Sequence, residues 1–317
     1  MTNPIWRPRR VLVAGVRMPD LVGHIAAARP ELEMKAVALD AIGPDQLEWA
    51  EVYLGFRRPA TLQSWGKIRW IHCIGAGVDG IIHGAEVPKS VLVTKSSEDF
   101  GPAIGEWCLT RALAVNQHLA IFAEDQKARR WDREREPVVL RGQRVVILGT
   151  GLVGSGIARA FRGLGCRVDG LSRTGAPRPD FDRVATTDRF AEVVKGANWL
   201  ILAAPLTAAS RRFLDRARLA QCDGAYLMNA GRGAVTDEAA IPDAIDQGWL
   251  SGAALDVFEK EPLPPDSLLW NHPKITISPH ISGPSTLAAT AGGFLESLAA
   301  IERGEPLRLA VDPTLGY

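Results

Sequence analysis

The stretch that decides the fold is Arg144-Val-Val-Ile-Leu-Gly-Thr-Gly-Leu-Val-Gly-Ser-Gly-Ile-Ala-Arg-Ala-Phe-Arg-Gly-Leu-Gly165. An apolar run, Val145 to Leu148, enters a turn with glycines at G-x-G-x-x-G spacing, and apolar residues then recur at helical period. This pattern predicts a strand, a tight glycine turn and a helix, which together are typical of dinucleotide binding. A tight strand-to-helix turn without a ligand is the alternative.

The residues of this turn that we expect to contact a dinucleotide are Gly149, Gly151, Leu152, Val153 and Gly154. One glycine makes the turn, one lets the backbone approach a pyrophosphate, and one lets the helix pack on the strand. The N-terminus of the helix offers free N–H groups and its dipole to the anion. The turn is therefore predicted to hold the pyrophosphate of a dinucleotide.

Length, composition and charge bound the class of protein. The 317 residues suffice for two domains, and 46% hydrophobic and 23% charged residues are typical of a soluble globular protein. Because Lys+Arg 37 and Asp+Glu 36 nearly cancel, we expect neither nucleic acid nor a membrane as a partner. The sequence has no apolar leader and no run near the ~18 apolar residues of a spanning helix, which predicts a cytoplasmic protein.

The cysteines are widely spaced and include no C-x-x-C pair. They are Cys73, Cys108, Cys166 and Cys222, and each has apolar or small neighbours. We therefore predict reduced thiols in the core and no metal site.

Short apolar runs alternate with helix-length segments in the first part of the chain. The predicted strands are Val11–Val16, Lys35–Leu39, Val52–Leu54, Ile68–Ile74 and Val91–Thr94. Such alternation predicts a parallel sheet with helices on its faces. Gly75, Ala76 and Gly77 follow the fourth run, where open α/β sheets bind ligands. Their amides are predicted to bind a small carboxylate, and a turn that only reverses the chain is the alternative.

The second part of the chain repeats the alternation between two breaks. A break at Ser97–Pro102 is followed by a single predicted helix over 103–130, and a break after His280 by a helix over 286–303. Besides the strand of the glycine turn, the predicted strands are Cys166–Leu171, Trp199–Ala203, Ala225–Asn229, Ala253–Phe258 and Ile275–Ser278.

The predicted fold class is α/β, with two doubly wound parallel-sheet domains. A Rossmann NAD(P)-binding domain is inserted into a flavodoxin-like substrate domain. We expect the first segment of the substrate domain at 1–100, the Rossmann domain at 101–284, and at 285–317 a C-terminal helix that returns to the substrate domain.

Three charged residues lie at or after predicted strand ends of the second domain: Arg232, Glu261 and His280. Taken singly, each has an ordinary explanation as a turn or loop residue. Together, on the carboxyl side of the sheet that holds the glycine turn, they match what hydride transfer to a ketone requires. That reaction uses an imidazole as proton donor, a carboxylate that orients it, and a cation whose planar fork binds a 2-oxo acid.

Six segments then carry a resemblance to a known family: Gly75–Asp79, Gly149–Gly154, Ala204–Thr207, Asn229–Gly233, Asp256–Leu263 and Ser278–Ile281. Over nearly its whole length the chain resembles the D-specific 2-hydroxyacid dehydrogenases, in the branch of glyoxylate/hydroxypyruvate reductases. The resemblance implies that His280 is the acid/base, Glu261 its carboxylate partner and Arg232 the substrate clamp. It further implies cofactor contacts from Ala204, Pro205, Thr207, Ala230 and Asp256, the last to the nicotinamide carboxamide. Substrate contacts are implied for Gly75, Ala76, Gly77, Arg232 and His280.

Glu259 competes with Glu261 for the role of carboxylate partner. Glu261 is the residue followed by Pro-Leu, as in the family. The formate-oxidising branch of the family has glutamine in its place, so Glu261 argues against formate as substrate.

The second strand of the Rossmann domain departs from the usual pattern at its end. The acidic residue expected for a ribose 2′-hydroxyl falls at Ser172, followed by Arg173, while Asp169 comes too early. A serine and an arginine can bind a 2′-phosphate that an anion would repel. We therefore predict NADP as cofactor, with NAD as the alternative if Arg173 is merely exposed.

These patterns together predict a reductase of small 2-oxo acids such as glyoxylate or hydroxypyruvate, without an appended regulatory domain. A homodimer is expected, because the helix from Ala103 carries apolar residues on more than one side. They include Ile104, Trp107, Leu109 and Leu113. The alternative function is a dinucleotide-sensing regulatory protein on the same fold.

Overall fold

The structure is a computed structural model, and it describes residues 5–15, 18–59, 62, 64–82, 87–96 and 100–313. The chain forms two compact units: unit 1 comprises Met1–Glu98 and Ser285–Tyr317, and unit 2 comprises Asp99–Pro284. Each unit has its own parallel sheet, and unit 2 is inserted into the sequence of unit 1. The predicted fold class is confirmed.

Unit 1 contains a five-stranded parallel sheet. Its strands are β1 (Arg10–Ala14), β2 (Glu33–Val37), β3 (Val52–Gly55), β4 (Trp70–Cys73) and β5 (Leu92–Lys95). The helices between them are α1 (Met18–Ala28), α2 (Pro44–Trp49) and α3 (Asp79–Ile82), with a 3-10 helix at Leu39–Ala41. The strand order β2-β1-β3-β4-β5 is that of flavodoxin-like folds.

Unit 2 contains a seven-stranded sheet, also parallel. In chain order its elements are α4 (Gly101–Asn116), α5 (Leu119–Lys127), β6 (Arg144–Leu148), α6 (Leu152–Gly163), β7 (Arg167–Ser172), β8 (Arg183–Thr186), α7 (Phe190–Val194), β9 (Trp199–Leu202), α8 (Arg216–Leu219), β10 (Ala225–Asn229), α9 (Ile241–Asp246), β11 (Leu250–Leu255) and β12 (Ile275–Ile277). Its 3-10 helices are Thr187–Arg189, Gly233–Val235, Glu238–Ala240 and Leu268–Asn271.

The strand order β12-β11-β10-β9-β6-β7-β8 reverses direction between β6 and β9. Ligands of doubly wound sheets bind at such a reversal, beyond the carboxyl ends of the strands. Successive side chains of a strand face opposite sides of the sheet. Accordingly Val146 and Leu148 belong to one core cluster of unit 2, and Val145 and Ile147 to another.

Most strand bounds lie within two residues of the predicted ones, and two strands differ by more. β8 was not predicted, because it is a short edge strand in which Ala185 alone is buried. β11 ends at Leu255 instead of Phe258. Asp256 therefore occupies the first position after the strand, at the ligand-binding edge of the sheet.

The single helix predicted over 103–130 is wrong, because α4 ends at Asn116 and α5 begins at Leu119. His118 between them has φ +53°, in the left-handed region, which a right-handed helix cannot continue. Its ring nitrogen Nε2 lies 3.2 Å from the carbonyl oxygen of Glu136, a distant residue in the chain. A contact outside the helix therefore accompanies the break.

The last helix, α10 (Leu287–Arg303), packs on the sheet of unit 1. Thr286 caps it by accepting a hydrogen bond from the amide of Ala289, and Phe294 stacks on Trp70 with ring centroids 4.9 Å apart. The predicted break at Ser97–Pro102 includes residues 97–99, which lie outside the described residues, as does Val16, the predicted end of the first strand.

The cysteines are buried as free thiols, as predicted. In the ranges given above, no helix is both long enough and apolar enough to cross a bilayer. In the same ranges, no group of three or more His, Cys, Asp or Glu side chains is placed to hold a metal ion.

Candidate active site

The glycine turn joins β6 to α6 at the reversal of the strand order. Gly149 has φ +103°, and a Cβ atom there would lie 2.6 Å from the carbonyl oxygen of Ala203. A Cβ at Gly154 would lie 1.9 Å from the carbonyl oxygen of Gly149. Both positions therefore require glycine, one for its conformation and one for the close packing of helix on strand.

Gly151 differs from these two glycines, because a Cβ there would meet nothing within 4 Å. It is the N-cap of α6, so open space lies before the free amides of a helix N-terminus. Leu152 is exposed, and Val153 packs against the core beside it. These features fit a pyrophosphate, which needs free amides and room for its oxygens.

The end of β7 carries the residues predicted to read the adenosine ribose. The Ser172 hydroxyl accepts a hydrogen bond of 3.0 Å from the amide of Gly175, and Arg173 is exposed. Asp169 lies within the strand, and its carboxylate is paired with Arg144 at 2.6 Å. The strand therefore ends on a hydroxyl and a guanidinium, and its carboxylate is engaged elsewhere.

The predicted cofactor segment Ala204–Thr207 follows β9 and forms a turn closed by Ser210. The Ser210 hydroxyl donates to the carbonyl oxygen of Pro205 at 2.6 Å and accepts from the amide of Thr207 at 2.8 Å. Ala230, at the end of the neighbouring strand β10, is buried. This turn lies at the same carboxyl edge of the sheet as the glycine turn.

Arg232 is held in a turn that the side chain of Asn229 closes. The Asn229 amide group donates to the carbonyl oxygen of Arg232 at 3.1 Å, and its side-chain oxygen accepts from the amide of Gly231 at 3.1 Å. The Arg232 guanidinium donates to the carbonyl oxygen of Gly231 at 2.8 Å. Because Asn229 is the buried last residue of β10, the sheet fixes the base of this turn.

His280 and Glu261 meet, as the sequence predicted. His280 Nδ1 lies 2.9 Å from Glu261 Oε2, and the other carboxylate oxygen, Oε1, accepts from the amide of Phe258 at 3.0 Å. An ionised carboxylate only accepts, so Nδ1 carries the proton and donates it to Glu261. Nε2 is then the nitrogen that can exchange a proton with a substrate.

The environment of Glu261 favours its ionised form. Burial alone would raise the pKa of Glu261, but the hydrogen bonds from His280 and from the Phe258 amide outweigh it and lower the pKa. The positive charge of Arg232 acts in the same direction. Arg232, Glu261 and His280 are thus linked by charge, and Glu261 is a carboxylate at neutral pH.

The turn that carries His280 is built on the buried carboxylate of Asp256. His280 has φ +54°, a conformation that few side chains adopt, and its amide donates to the carbonyl oxygen of Asp256 at 2.8 Å. The Asp256 carboxylate accepts from the Ser278 hydroxyl at 2.5 Å and from the amides of Ile281 and Ser282 at 3.0 and 2.8 Å. Asp256 therefore orders the His280 turn, and its predicted contact with the nicotinamide stays a prediction.

Ser278 and Asn229 are functional candidates that the sequence analysis did not single out. Ser278 connects Asp256 to α4, because its hydroxyl oxygen accepts from Trp107 Nε1 at 3.1 Å. Both residues are polar and buried next to a strand end. A polar residue at the end of a buried strand could have indicated them from the sequence, since a buried polar side chain needs a hydrogen-bond partner.

In unit 1, the predicted carboxylate-binding loop follows β4. Gly75 is packed, since a Cβ there would lie 2.5 Å from the ring of Phe56, whereas Ala76 is exposed. Within the described residues, no acceptor is bonded to the amides of Ala76 and Gly77. Two amides without acceptors are what a carboxylate can bind, so the geometry of the loop fits the prediction.

Fold and site together define a class, the nucleotide-binding α/β oxidoreductases. The family model described as "D-isomer specific 2-hydroxyacid dehydrogenase, NAD binding domain" matches residues 109–282. The chain belongs to the D-isomer specific 2-hydroxyacid dehydrogenase family, and the family predicted from the sequence is confirmed.

Named relatives give a finer comparison. The chain is 28% identical over 281 residues to glyoxylate/hydroxypyruvate reductase A of Enterobacter sp. (strain 638), which covers 85% of this chain and 88% of that protein. It is similar to a D-isomer specific 2-hydroxyacid dehydrogenase from Xanthobacter autotrophicus Py2, solved with NADPH and MES, with a TM-score of 0.88, 28% identity and coverage of 98% and 100% of the two chains. An NADPH-dependent glyoxylate/hydroxypyruvate reductase from Sinorhizobium meliloti, solved with NADP and sulfate, has a TM-score of 0.85, 25% identity and coverage of 98% and 100%.

Proposed function

We propose that this protein is an NADPH-preferring reductase of small 2-oxo acids, with glyoxylate and hydroxypyruvate as substrates and D-2-hydroxy acids as products. The observation that carries the proposal is the contact of 2.9 Å between His280 Nδ1 and Glu261 Oε2, at the sheet edge that also bears the glycine turn. Relatives named as glyoxylate/hydroxypyruvate reductases support the substrate class.

A nicotinamide cofactor, when bound, would supply the hydride, and the residues of this chain would supply the proton and the electrostatics. Glu261 keeps the His280 ring oriented, so that Nε2 can donate a proton to the substrate carbonyl oxygen. Arg232 holds the 2-oxo acid through its planar fork of N–H donors. The amides of Ala76 and Gly77, which have no acceptors among the described residues, are proposed to bind the substrate carboxylate.

The preference for NADPH is proposed from Ser172 and Arg173. An exposed guanidinium and a hydroxyl at the end of β7 can bind a 2′-phosphate, and the carboxylate that would repel it is absent from this strand end. Structures of similar proteins solved with NADPH and NADP support this choice.

Steady-state kinetics tests the function. We expect reduction of glyoxylate and hydroxypyruvate with higher kcat/KM than of pyruvate, phenylpyruvate or oxaloacetate, and with higher kcat/KM for NADPH than for NADH. Hydroxypyruvate should give the D-enantiomer of the hydroxy acid. Tight NADPH binding without turnover of any of the five acids would contradict the proposal and favour a dinucleotide-sensing protein.

We also propose a cytoplasmic homodimer. Ile104 and Trp107, two of the apolar helix residues on which the dimer was predicted, are buried in the core of unit 2. Exposed apolar side chains continue along α4 and α5 at Leu113, Val115 and Leu119. Light scattering at micromolar concentration should show a dimer that Leu119→Glu weakens, and a monomeric wild type would refute it.

A further inference from the structure

The turn that carries Arg232 and the loop that carries Glu261 touch through their backbones. A Cβ at Gly233 would lie 1.9 Å from the carbonyl carbon of Phe258 and 2.3 Å from the nitrogen of Glu259. The peptide between Phe258 and Glu259 therefore packs directly on Gly233, where no side chain fits. A shift of this peptide would therefore displace both the turn of Arg232 and the loop of Glu261.

Two glutamates accept hydrogen bonds from the backbone amides of Phe258 and Glu259. The amide of Phe258 donates to Glu261 Oε1 at 3.0 Å, and the amide of Glu259 donates to Glu238 Oε1. Glu238 begins the 3-10 helix Glu238–Ala240, which follows the Arg232 turn in the chain, and it is half-buried. Glu238 thus accepts from one backbone amide of this loop, and Glu261, within the loop, accepts from the amide of the preceding residue.

The charge around Glu238 is unusual for a glutamate. Burial, and then the negative charges of Glu259 and Glu261, raise the pKa of Glu238 to about 7, while the hydrogen bond from the Glu259 amide acts in the opposite direction.

The positively charged side chains near this loop are paired with Glu259 and Glu261. Glu259 is paired with Arg211 and Arg212 at 3.8 and 3.7 Å, and Glu261 faces Arg232 and His280. Glu238 therefore gains or loses its negative charge in the neutral pH range, beside a carboxylate that is already bonded to His280.

We propose that Glu238 is a positioning residue for the Glu261–His280 pair: it holds the Phe258–Glu259 peptide, which packs on Gly233, and so holds the loop that carries Glu261. When ionised, it is the stronger acceptor for the Glu259 amide, because a hydrogen bond to an ionised group is stronger than one to a neutral group. Its charge also favours a positive charge on the imidazole that Glu261 faces. The inference rests on the proposed function, since it concerns the same proton transfer.

The first test needs no turnover. Glu238→Gln keeps an acceptor for the Glu259 amide and removes the charge, and Asp237→Asn makes the same change in the neighbouring acid. In the protein without substrate, ¹⁵N NMR follows the His280 ring nitrogens as pH is varied. We expect Glu238→Gln to move the midpoint of this titration to lower pH by on the order of half a unit, the size expected for one partly screened charge nearby. Asp237→Asn should move it less.

The second test uses the reaction. With NADPH and glyoxylate, the falling limb of kcat/KM at high pH should move to lower pH in Glu238→Gln by the same amount, with kcat at pH 6 within about twofold of wild type. Glu238→Leu, which loses the acceptor as well, should lower kcat by about tenfold, as expected from the loss of one hydrogen bond to a charged group. Circular dichroism confirms that each variant is folded.

The outcomes separate the two proposals. If wild type reduces none of the 2-oxo acids, the proposed function fails, while the NMR titration still decides the role of Glu238. If the enzyme is active and Glu238→Gln gives the wild-type titration and the wild-type pH profile, the role of Glu238 is overturned and the function stands.

Discussion

The residues that follow the strands near the two edges of the unit 2 sheet differ in burial. At the ends of β11 and β12, the fully buried Asp256 takes three hydrogen bonds and orders the turn of His280. At the end of β7, Arg173 is exposed and Ser172 is bonded to the amide of Gly175. The proposed proton transfer therefore depends on a buried network, and the predicted choice of cofactor depends on surface side chains. Substitutions at the first end should cost stability or rate, and those at the second should change selectivity alone.

The largest effect is expected from His280→Ala. Removal of the proposed proton donor should lower kcat for glyoxylate reduction by ~10²–10⁴, the usual size for general acid catalysis. NADPH affinity, measured by fluorescence titration, should stay near the wild-type value because the Gly149–Gly154 turn is untouched. Near-normal turnover would remove His280 from this role.

Asp256→Ala should destabilise the folded protein, because Asp256 holds the turn that carries His280. The change leaves the Ser278 hydroxyl and the amides of Ile281 and Ser282 without their acceptor, so the free energy of unfolding in urea should fall by about 3 kcal/mol. Asp266→Ala, at an exposed aspartate, is the matched control and should fall within about 0.5 kcal/mol of wild type. Equal stability of the two variants would show that the buried network does not hold the turn.

At the other end, Ser172→Asp combined with Arg173→Ala should shift the preference for NADPH over NADH by ~10–100-fold toward NADH. The double change adds a repelling anion and removes a charge-assisted partner of the 2′-phosphate. Unfolding should be unchanged, in contrast to Asp256→Ala. Arg178→Ala, an exposed arginine of the same segment, should leave the preference as it is. A wild type that already prefers NADH would contradict the assignment.

The sequence predicted those parts of the molecule that local patterns determine. Apolar runs and glycine spacing mark β6 and its turn, because strand, turn and helix are each specified by neighbouring residues. The break between α4 and α5 was missed, because His118 adopts its left-handed conformation in a turn that contacts Glu136 far along the chain. Local helical periodicity gave no sign of this contact.

In the candidate site, too, contacts between motif residues were predicted and contacts formed by tertiary packing were not. The pairing of His280 with Glu261 was predicted from motifs that follow strand ends. The connection from Trp107 through Ser278 to Asp256 was not, because its members are brought together by tertiary packing. Sequence patterns therefore indicated which side chains are proposed to react, and the structure was needed to find which side chains hold them.

The smallest effect concerns the pH dependence of stability at the catalytic end. The pKa of Glu261 is lowered in the folded protein, so its contribution to stability is fully present above the pKa of an unfolded glutamate, ~4.3, and is lost as pH falls through the lower folded value. From about pH 5 downward, the excess of the wild-type unfolding free energy over that of Glu261→Gln should therefore shrink, most steeply below about pH 4.

Glu134→Gln is the matched control for this series, since Glu134 is an exposed glutamate on the surface of unit 2. Urea unfolding of the three proteins between pH 3.5 and 5 makes the comparison. The control should follow wild type throughout, because an exposed side chain has nearly the same surroundings in the folded and unfolded states. A difference between wild type and Glu261→Gln that grows as pH falls below about 5 would have the wrong sign for a stabilised carboxylate. It would mean that burial outweighs the hydrogen bonds from His280 and Phe258, and that the pair is not held together by charge.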